Sequence, residues 1–147
     1  MARSLGLDIG DRRIGVALSD PGGVLASPFT IISCQDEAAD VAAIKDIVKQ
    51  NQVERVIVGL PLSMDGSVGQ QAEKVKAFTR KLSDSVEVPV EFRDERLTTV
   101  AAKQLMREAG GKKSRRKNSH DDAIAAALIL QGYLEKRREV SDEDGSL

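Results

Sequence analysis

Short apolar runs separated by turn residues make up the first part of the chain. Leu, Ile and Val dominate three of these runs, which are interrupted at Gly10-Asp11 and at Pro21-Gly22-Gly23. Branched apolar residues favour β-strands, whereas Gly, Pro and Asp favour the tight turns between strands. Three consecutive strands with short turns predict an antiparallel meander, with strands at Ser4 to Ile9, Arg13 to Ser19 and Val24 to Ser33.

The spacing of apolar residues becomes helical after Asp36. Val41, Ile44 and Val48 fall on one helical face, and Asp36 is a suitable N-cap for the helix that they predict through Gln50. Beyond this helix, short buried strands alternate with amphipathic helices. The further predicted elements are a strand at Arg55 to Leu60, a helix marked by Ala72, Val75, Phe78 and Leu82, a strand at Glu87 to Arg93, a helix from Thr98 to Ala109 and a last helix from Ser119 to Arg137.

The order of these elements predicts an α/β fold. The string βββαβαβαα combines an antiparallel meander with crossover helices, so we expect one mixed, five-stranded sheet with helices on both faces, as in RNase H-like folds. The length of 147 residues suits one domain. We assign residues 1–138 to that domain and residues 139–147 to an acidic, disordered C-terminal tail.

Composition indicates a cytoplasmic protein with no membrane partner. The longest apolar run, Ala123 to Leu130, has eight residues, whereas a membrane-spanning helix needs about 20. Asp8 interrupts the N-terminal segment, where a secretory signal needs continuous apolar residues. Cys34 is the only cysteine, so neither an intramolecular disulfide nor a thiolate metal cluster can form.

Asp8 is the clearest candidate for a chemical role. It lies between Leu7 and Ile9 in the first predicted strand, where a buried carboxylate is costly unless a cation or hydrogen bonds compensate. Gly6 and Gly10 on either side allow a backbone or a phosphate to approach closely. The alternative is that Asp8 only caps the turn at the end of the strand.

Glu95 is a second acidic candidate, at the end of an interior strand. It lies in the stretch Arg93-Asp94-Glu95-Arg96, and alternating charges of this kind are usually solvated. Its position after a buried strand is what favours a metal-binding role. Because successive side chains of a strand point to opposite faces, only one of Asp94 and Glu95 can face Asp8.

Asp121 and Asp122 open the last predicted helix. Ser119 and Asp122 have the spacing of a capping box, and the helix dipole stabilises acids in a first turn, so a purely structural role explains both residues. The residues that follow, Ala123 to Leu128, are apolar and predict a buried helix. A carboxylate in this first turn would therefore lie at the edge of the core.

Three carboxylates from separate elements can converge on a hard divalent cation. Mg²⁺ and Mn²⁺ prefer oxygen ligands and retain water for substrate phosphates. We therefore predict that Asp8, Glu95 and Asp122 are the catalytic, metal-binding residues, with Asp121 as an alternative or additional ligand. His120 is the only histidine and has at most an auxiliary role, and the chain has no Gly-x-Ser-x-Gly motif of a serine hydrolase.

A basic run before the last helix is the main sign of a substrate. The formal net charge of −1 includes the acidic residues of the tail, so the body of the chain is mildly basic. Basic runs are either solvated loops or clamps on a phosphate backbone, and the position beside Asp122 favours a clamp. Few aromatic residues are available for base stacking, so we expect recognition of backbone and shape. The basic residues are Lys112, Lys113, Arg115, Arg116 and Lys117.

Four blocks of the sequence, taken in order between residues 4 and 134, carry a family resemblance. They are Leu5-Gly6-Leu7-Asp8-Ile9-Gly10 with Arg13-Ile14-Gly15-Val16-Ala17, Val58-Gly59-Leu60-Pro61-Leu62 with Met64-Asp65-Gly66, Asp94-Glu95-Arg96-Leu97-Thr98-Thr99, and Asp122 with Ala125-Ala126 and Ile129-Leu130-Gln131. Together they resemble the YqgF family of RNase H-like nucleases.

The resemblance implies specific roles for residues of these blocks. It implies that Asp8, Glu95 and Asp122 are metal ligands. Asp121 stands where the family usually has an apolar residue, so the register favours Asp122 as the ligand. We add Arg13 of the first block to the basic run as a candidate substrate-binding residue.

The resemblance also implies a nuclease with one of two substrates. Family members are associated with trimming of the small-subunit ribosomal RNA precursor and with resolution of four-way DNA junctions. We favour processing of the 5′ end of pre-16S rRNA, because symmetric junction cleavage is simplest for a two-fold dimer and the sequence has no evident dimer patch. We accordingly expect a monomer or weak homodimer that binds structured RNA or branched DNA and uses Mg²⁺ or Mn²⁺.

Two other classes of protein stay open at this point. The motif Asp8-Ile9-Gly10 also resembles the phosphate-binding Asp-x-Gly of the actin, sugar kinase and Hsp70 superfamily, although this chain is too short for the second lobe of those proteins. The other alternative is a non-catalytic nucleic-acid-binding protein with the same fold.

Overall fold

Five strands form one mixed sheet in the computed structural model of the chain, which describes residues 3–62, 65–66, 68–94 and 119–145, the backbone alone at 119–121 and 138–145. In chain order the strands are β1 (Arg3–Ile9), β2 (Arg13–Ser19), β3 (Ala26–Ser33), β4 (Val53–Leu60) and β5 (Val90–Asp94). They lie side by side in the order β3-β2-β1-β4-β5. The predicted mixed, five-stranded α/β sheet is confirmed.

The strand directions bring three strand ends to one edge of the sheet. Strand β1 pairs antiparallel with β2, and β2 pairs antiparallel with β3, as a meander requires. Strand β4 runs parallel to β1, with Leu7 opposite Val58, and β5 runs parallel to β4, with Leu60 opposite Asp94. The carboxyl ends of β1, β4 and β5 therefore meet at one edge, which we call the carboxyl edge.

Helices cover both faces of the sheet. Helices α1 (Glu37–Gln50) and α2 (Gln70–Ser85) pack on one face, and helix α3 (Ser119–Gly145) packs on the other. The first face buries a core of branched apolar side chains, whereas the α3 face buries small residues such as Ala17 and Ala126. Small residues on both sides allow α3 to approach the sheet closely.

The start of α1 follows the predicted capping pattern. The Asp36 carboxylate accepts a hydrogen bond of 2.8 Å from the backbone N–H of Ala39. Val41, Ile44 and Val48 are buried on the face that meets the sheet. The cap and the apolar stripe thus define the helix from local sequence alone.

The boundaries of β3 and β5 differ from the sequence prediction for identifiable reasons. Strand β3 begins at Ala26 and not at Val24, because the Asp20 carboxylate holds the N–H groups of Val24 and Leu25 in a turn. Strand β5 begins at Val90 and not at Glu87, because Pro89 has no N–H to donate to the sheet.

Helix α3 is longer than its apolar pattern predicts. Its backbone is helical to Gly145, beyond the end expected at Arg137, and no proline or glycine interrupts residues 138–144. Without a helix-breaking residue before Gly145, the backbone can continue in helical geometry. The division into a domain and an acidic tail stays a prediction. The predicted helix from Thr98 to Ala109 lies outside the described residues.

Within the described ranges, the helices are too short or too polar to cross a lipid bilayer.

Candidate active site

Asp8 lies one residue before the carboxyl end of β1 and faces α3. Leu5 and Leu7 are fully buried in the core on the α1 and α2 face. Gly6 faces the other way, since a Cβ added there would meet the Ala126 carbonyl oxygen and the Leu130 Cβ of α3 at 2.8 Å. Because side chains alternate along a strand, the half-buried Asp8 also faces α3. The expected close approach of a backbone at Gly6 is confirmed.

Gly15 brings the first turn of α3 to Asp8. It is the direct cross-strand partner of Asp8 in the β1–β2 pair, so both residues share one face. A Cβ added to Gly15 would lie 1.9 Å from the carbonyl oxygen of Asp122 and 2.3 Å from its carbonyl carbon. The backbone of Asp122 therefore fills the space beside Asp8 that any other residue at position 15 would need.

Arg13 of β2 forms an ion pair with Asp122 at the start of α3. The Arg13 Nε donates a hydrogen bond of 3.0 Å to the Asp122 Oδ2, and the two side chains are 39% and 32% exposed. The sequence prediction made Arg13 a substrate contact and Asp122 a metal ligand, and it did not foresee this pair. The two residues are 109 positions apart, so no local signal could indicate the contact.

The end of β5 reaches the carboxyl edge, where Asp94 is paired with Leu60. Val90 packs into the core on the α1 and α2 face. Arg93 faces α3, since a Cβ at Gly132 would meet its guanidinium at 2.9 Å. By the alternation of a strand, Asp94 shares the face of Val90 and not that of Asp8.

Several predicted site residues lie outside the described part of the chain. These are Glu95, the side chains of His120 and Asp121, and the basic residues from Lys112 to Lys117. The backbone of residues 120 and 121 belongs to the first turn of α3. Their proposed roles stay predictions.

The described carboxylates suit a hard divalent cation by their chemistry. Asp8 and Asp122 come from different elements, lie on the same face of the sheet and offer only oxygen donors, which Mg²⁺ and Mn²⁺ prefer. No cluster of three His, Cys, Asp or Glu side chains that could hold a metal occurs within residues 3–62, 65–66, 68–94 and 122–137. A complete site therefore needs a further ligand, and Glu95 is the predicted one.

Arg55 of β4 links the middle of α3 to the sheet. It donates a hydrogen bond to the Tyr133 hydroxyl and lies 5.9 Å from the centre of the Tyr133 ring. Its Nε is also 3.2 Å from the Glu91 Oε2, which makes an ion pair, although this Nε has no hydrogen-bond partner among the described residues. Because the helix is anchored here and by the Gln131 amide to Ala26, the position of its first turn is constrained.

Cys34 does not offer a second kind of chemistry. It lines a cavity of about 260 Å³ together with Gly10, Asp11, Asp40 and Lys74. Burial raises the pKa of the Cys34 thiol, and the negative charge of Asp40 raises it further. A raised pKa makes a thiol a weaker nucleophile, because a smaller fraction of it is the reactive thiolate.

Comparison with curated proteins identifies close relatives. A protein of Moorella thermoacetica named "Putative pre-16S rRNA nuclease" is 51% identical over 134 residues, which cover 91% of this chain and 95% of that protein. A protein of the same name from a Synechococcus species is 46% identical over 136 residues, covering 92% of this chain and 91% of that one.

Two solved structures of Holliday junction resolvases share the fold of this chain. RuvC of T. thermophilus in complex with Holliday junction substrate has a TM-score of 0.61 at 15% identity and covers 92% of this chain and 96% of its own. The yeast mitochondrial Holliday junction resolvase Ydc2 has a TM-score of 0.58 at 11% identity, covering 90% and 78%. At these identities the likeness shows the fold alone, and it confirms the RNase H-like class.

A family model provides the remaining comparison. The model described as "RuvX: Holliday junction resolvase" matches residues 2–136, which is most of the chain and includes the blocks that carry Asp8, Glu95 and Asp122. With this match and with relatives about half identical along nearly their whole length, the chain belongs to the family described as RuvX: Holliday junction resolvase.

Proposed function

We propose that this protein is a nuclease that hydrolyses phosphodiester bonds with the help of Mg²⁺ or Mn²⁺. The observation that carries the proposal is the position of Asp122, whose backbone rests on Gly15 directly beside Asp8. Asp8 of β1 and Asp122 of α3 come from elements far apart in the sequence, and both offer oxygen donors on the same face of the sheet. Carboxylates placed in this way suit a divalent cation that prefers oxygen ligands.

Glu95 is our proposal for the third ligand. Arg93 faces α3, and a residue two positions later faces the same side wherever the strand continues. This alternation supports Glu95 over Asp94, whose face is that of Val90. We propose Asp122, and not Asp121, as the metal ligand of α3. The family register favours it, and so does the contact between its backbone and Gly15.

In this proposal, one group of residues binds the metal and another binds the substrate. Asp8, Glu95 and Asp122 hold the metal at the carboxyl edge of the sheet. Two bound cations would supply a water of lowered pKa and positive charge for the departing oxygen, with products that carry 5′-phosphate and 3′-hydroxyl ends. The basic run from Lys112 to Lys117 holds the phosphate backbone near these carboxylates.

The substrate that we propose is the 5′ end of pre-16S rRNA, in the cytoplasm. The support is the name shared by the relatives that are 51% and 46% identical to this chain. The second candidate is a four-way DNA junction, which the family description and the complex of RuvC with Holliday junction substrate favour. A relative that is 51% identical in sequence is stronger support for a shared substrate than a structure that shares the fold at 15% identity.

A direct competition between the two substrates tests the proposal. Purified protein is given a labelled pre-16S rRNA and a labelled four-way junction with Mn²⁺ or Mg²⁺, while light scattering measures its mass. We expect trimming of the RNA by a monomer or weak homodimer. Paired symmetric cuts in the junction by a stable dimer, with no trimming of RNA, would favour a resolvase. Binding without metal-dependent cleavage of either substrate would instead indicate a non-catalytic nucleic-acid-binding protein.

A further inference from the structure

Arg13 contacts Asp122 through one nitrogen and one oxygen. The 3.0 Å bond joins the Arg13 Nε to the Asp122 Oδ2. A guanidinium can bind a carboxylate through two parallel hydrogen bonds, whereas here the single Nε bond joins the two groups. This bond uses one of the two carboxylate oxygens of Asp122, and a metal ligand needs only the other.

The backbone on both sides of this pair is fixed. The carbonyl oxygen of Arg13 accepts a hydrogen bond of 2.9 Å from the N–H of Gly10, which closes the turn after Asp8. Two residues further along β2, Gly15 supports the backbone of Asp122. Because both ends of the pair are anchored, the hydrogen bond restricts rotation of the Asp122 side chain and not the position of the helix.

We propose that Arg13 is a positioning residue that holds the Asp122 carboxylate in the orientation required for a divalent cation. The inference rests on the proposed function, since it needs a metal ligand to position. Asp122 is one-third exposed in the first turn of a helix, where a carboxylate could otherwise turn freely into solvent. Arg13 holds one oxygen in place, so that Asp122 binds the cation through the other.

This role differs from the phosphate contact that the sequence predicts for Arg13. A phosphate contact affects nucleic-acid binding and leaves metal affinity unchanged. A positive charge alone would repel the cation, so its removal would tighten metal binding. A positioning hydrogen bond does the opposite, because its loss weakens metal binding. The three explanations can therefore be separated by metal affinity.

A matched pair of variants isolates the hydrogen bond from the charge. Arg13→Gln keeps an N–H donor at the same position along the side chain as the arginine Nε, whereas Arg13→Met has similar length and no donor. Both variants lose the positive charge, so any repulsion between Arg13 and the cation disappears equally in both. The difference between them reports the hydrogen bond to Asp122.

The experiment measures Mn²⁺ binding by calorimetry or electron paramagnetic resonance, without nucleic acid. Full-length wild type, Arg13→Gln, Arg13→Met and Asp8→Asn are compared, and thermal unfolding in chelator checks that each is folded. We expect Arg13→Met to bind Mn²⁺ about tenfold more weakly than Arg13→Gln, the loss found when the partner of a metal ligand is removed. Both side chains are partly exposed, so neither substitution should prevent folding.

The possible outcomes separate this inference from the proposed function. Equal Mn²⁺ affinities of the two Arg13 variants, with tight binding by wild type and loss in Asp8→Asn, would reject the role of Arg13 and leave the proposed function intact. Absence of Mn²⁺ binding by wild type would reject both proposals. Unchanged Mn²⁺ affinity in both Arg13 variants, together with weaker nucleic-acid binding in a separate filter-binding measurement, would reject the positioning role and assign Arg13 to the phosphate.

Discussion

Asp8 and Gly15 are direct partners across the β1–β2 pair, and the missing side chain of Gly15 is what admits the first turn of α3 beside Asp8. The contact is unusually close, since a Cβ on Gly15 would lie only 1.9 Å from the Asp122 carbonyl oxygen. The glycine within β2 is therefore a structural requirement of the candidate active site.

Substitution of Gly15 should disturb the candidate active site more than it disturbs the rest of the fold. We expect Gly15→Ala to push the first turn of α3 away from β2, to lower the stability by about 1 to 3 kcal/mol through overpacking and to abolish most metal-dependent cleavage. Gly6→Ala is the matched control, because it meets the same helix at Ala126 and Leu130. Urea unfolding and Mn²⁺ binding of both variants provide the measurement. Wild-type cleavage by folded Gly15→Ala would contradict this role of Gly15.

The alternation of side chains along β5 distinguishes Glu95 from Asp94. We expect Glu95→Gln to reduce metal-dependent cleavage by about a hundredfold and Asp94→Asn to keep most of it, because continued alternation beyond β5 would put Glu95, and not Asp94, on the face of Arg93 and Asp8. Both substitutions remove one negative charge and preserve side-chain volume. Cleavage rates at saturating Mn²⁺ are the measurement, and a reversed order of the two effects would show that Asp94 is the ligand.

A second matched pair tests the register at the start of α3. We expect Asp122→Asn to lose metal binding and cleavage, whereas Asp121→Asn should retain both, because the backbone of Asp122 is the part of the turn that rests on Gly15. Each variant also loses one favourable charge at the helix N-terminus, and Asp122→Asn additionally weakens the ion pair with Arg13, so its stability should fall somewhat more. Loss of Mn²⁺ binding in Asp121→Asn alone would move the ligand by one position.

The basic run should determine how salt affects nucleic-acid binding. Replacing Lys112, Lys113, Arg115, Arg116 and Lys117 with Gln should weaken binding for all sequences alike. It should also reduce the slope of log K against log salt by about one for each phosphate that the run no longer neutralises.

A control for the basic run neutralises five basic residues on the helices that cover the sheet face away from Asp8. These are Lys45, Lys49, Lys76, Arg80 and Lys81 of α1 and α2. If this control flattens the salt dependence as much as the loop variant does, then overall charge and not the loop determines binding.

Much of the fold could be predicted because its signals are local. The meander follows from apolar runs and turn residues, and the Asp36 cap with its apolar stripe defines α1. Strand ends were less accurate where one contact decides them, as when the Asp20 carboxylate takes the N–H of Val24 into a turn. Local patterns do not record such competition for a backbone donor.

The candidate site was only partly predictable because its geometry depends on distant residues. A carboxylate in an apolar strand identified Asp8 from the sequence alone. The pair of Arg13 with Asp122 joins residues 109 positions apart, and the importance of Gly15 is evident only once α3 lies on it. These relationships arise from tertiary packing, which neither the spacing of hydrophobic residues nor the residue types indicate.

The proposed function depends above all on Asp8, which we expect to take part in binding a cation for phosphodiester hydrolysis. The most direct measurement compares wild type and Asp8→Asn for cleavage of labelled nucleic acid across a Mn²⁺ titration, with filter binding as a control for folding and substrate affinity. We predict Mn²⁺-dependent cleavage by wild type and its loss in Asp8→Asn, with nucleic-acid binding retained. Undiminished cleavage by Asp8→Asn, or cleavage that persists in chelator, would contradict the claim.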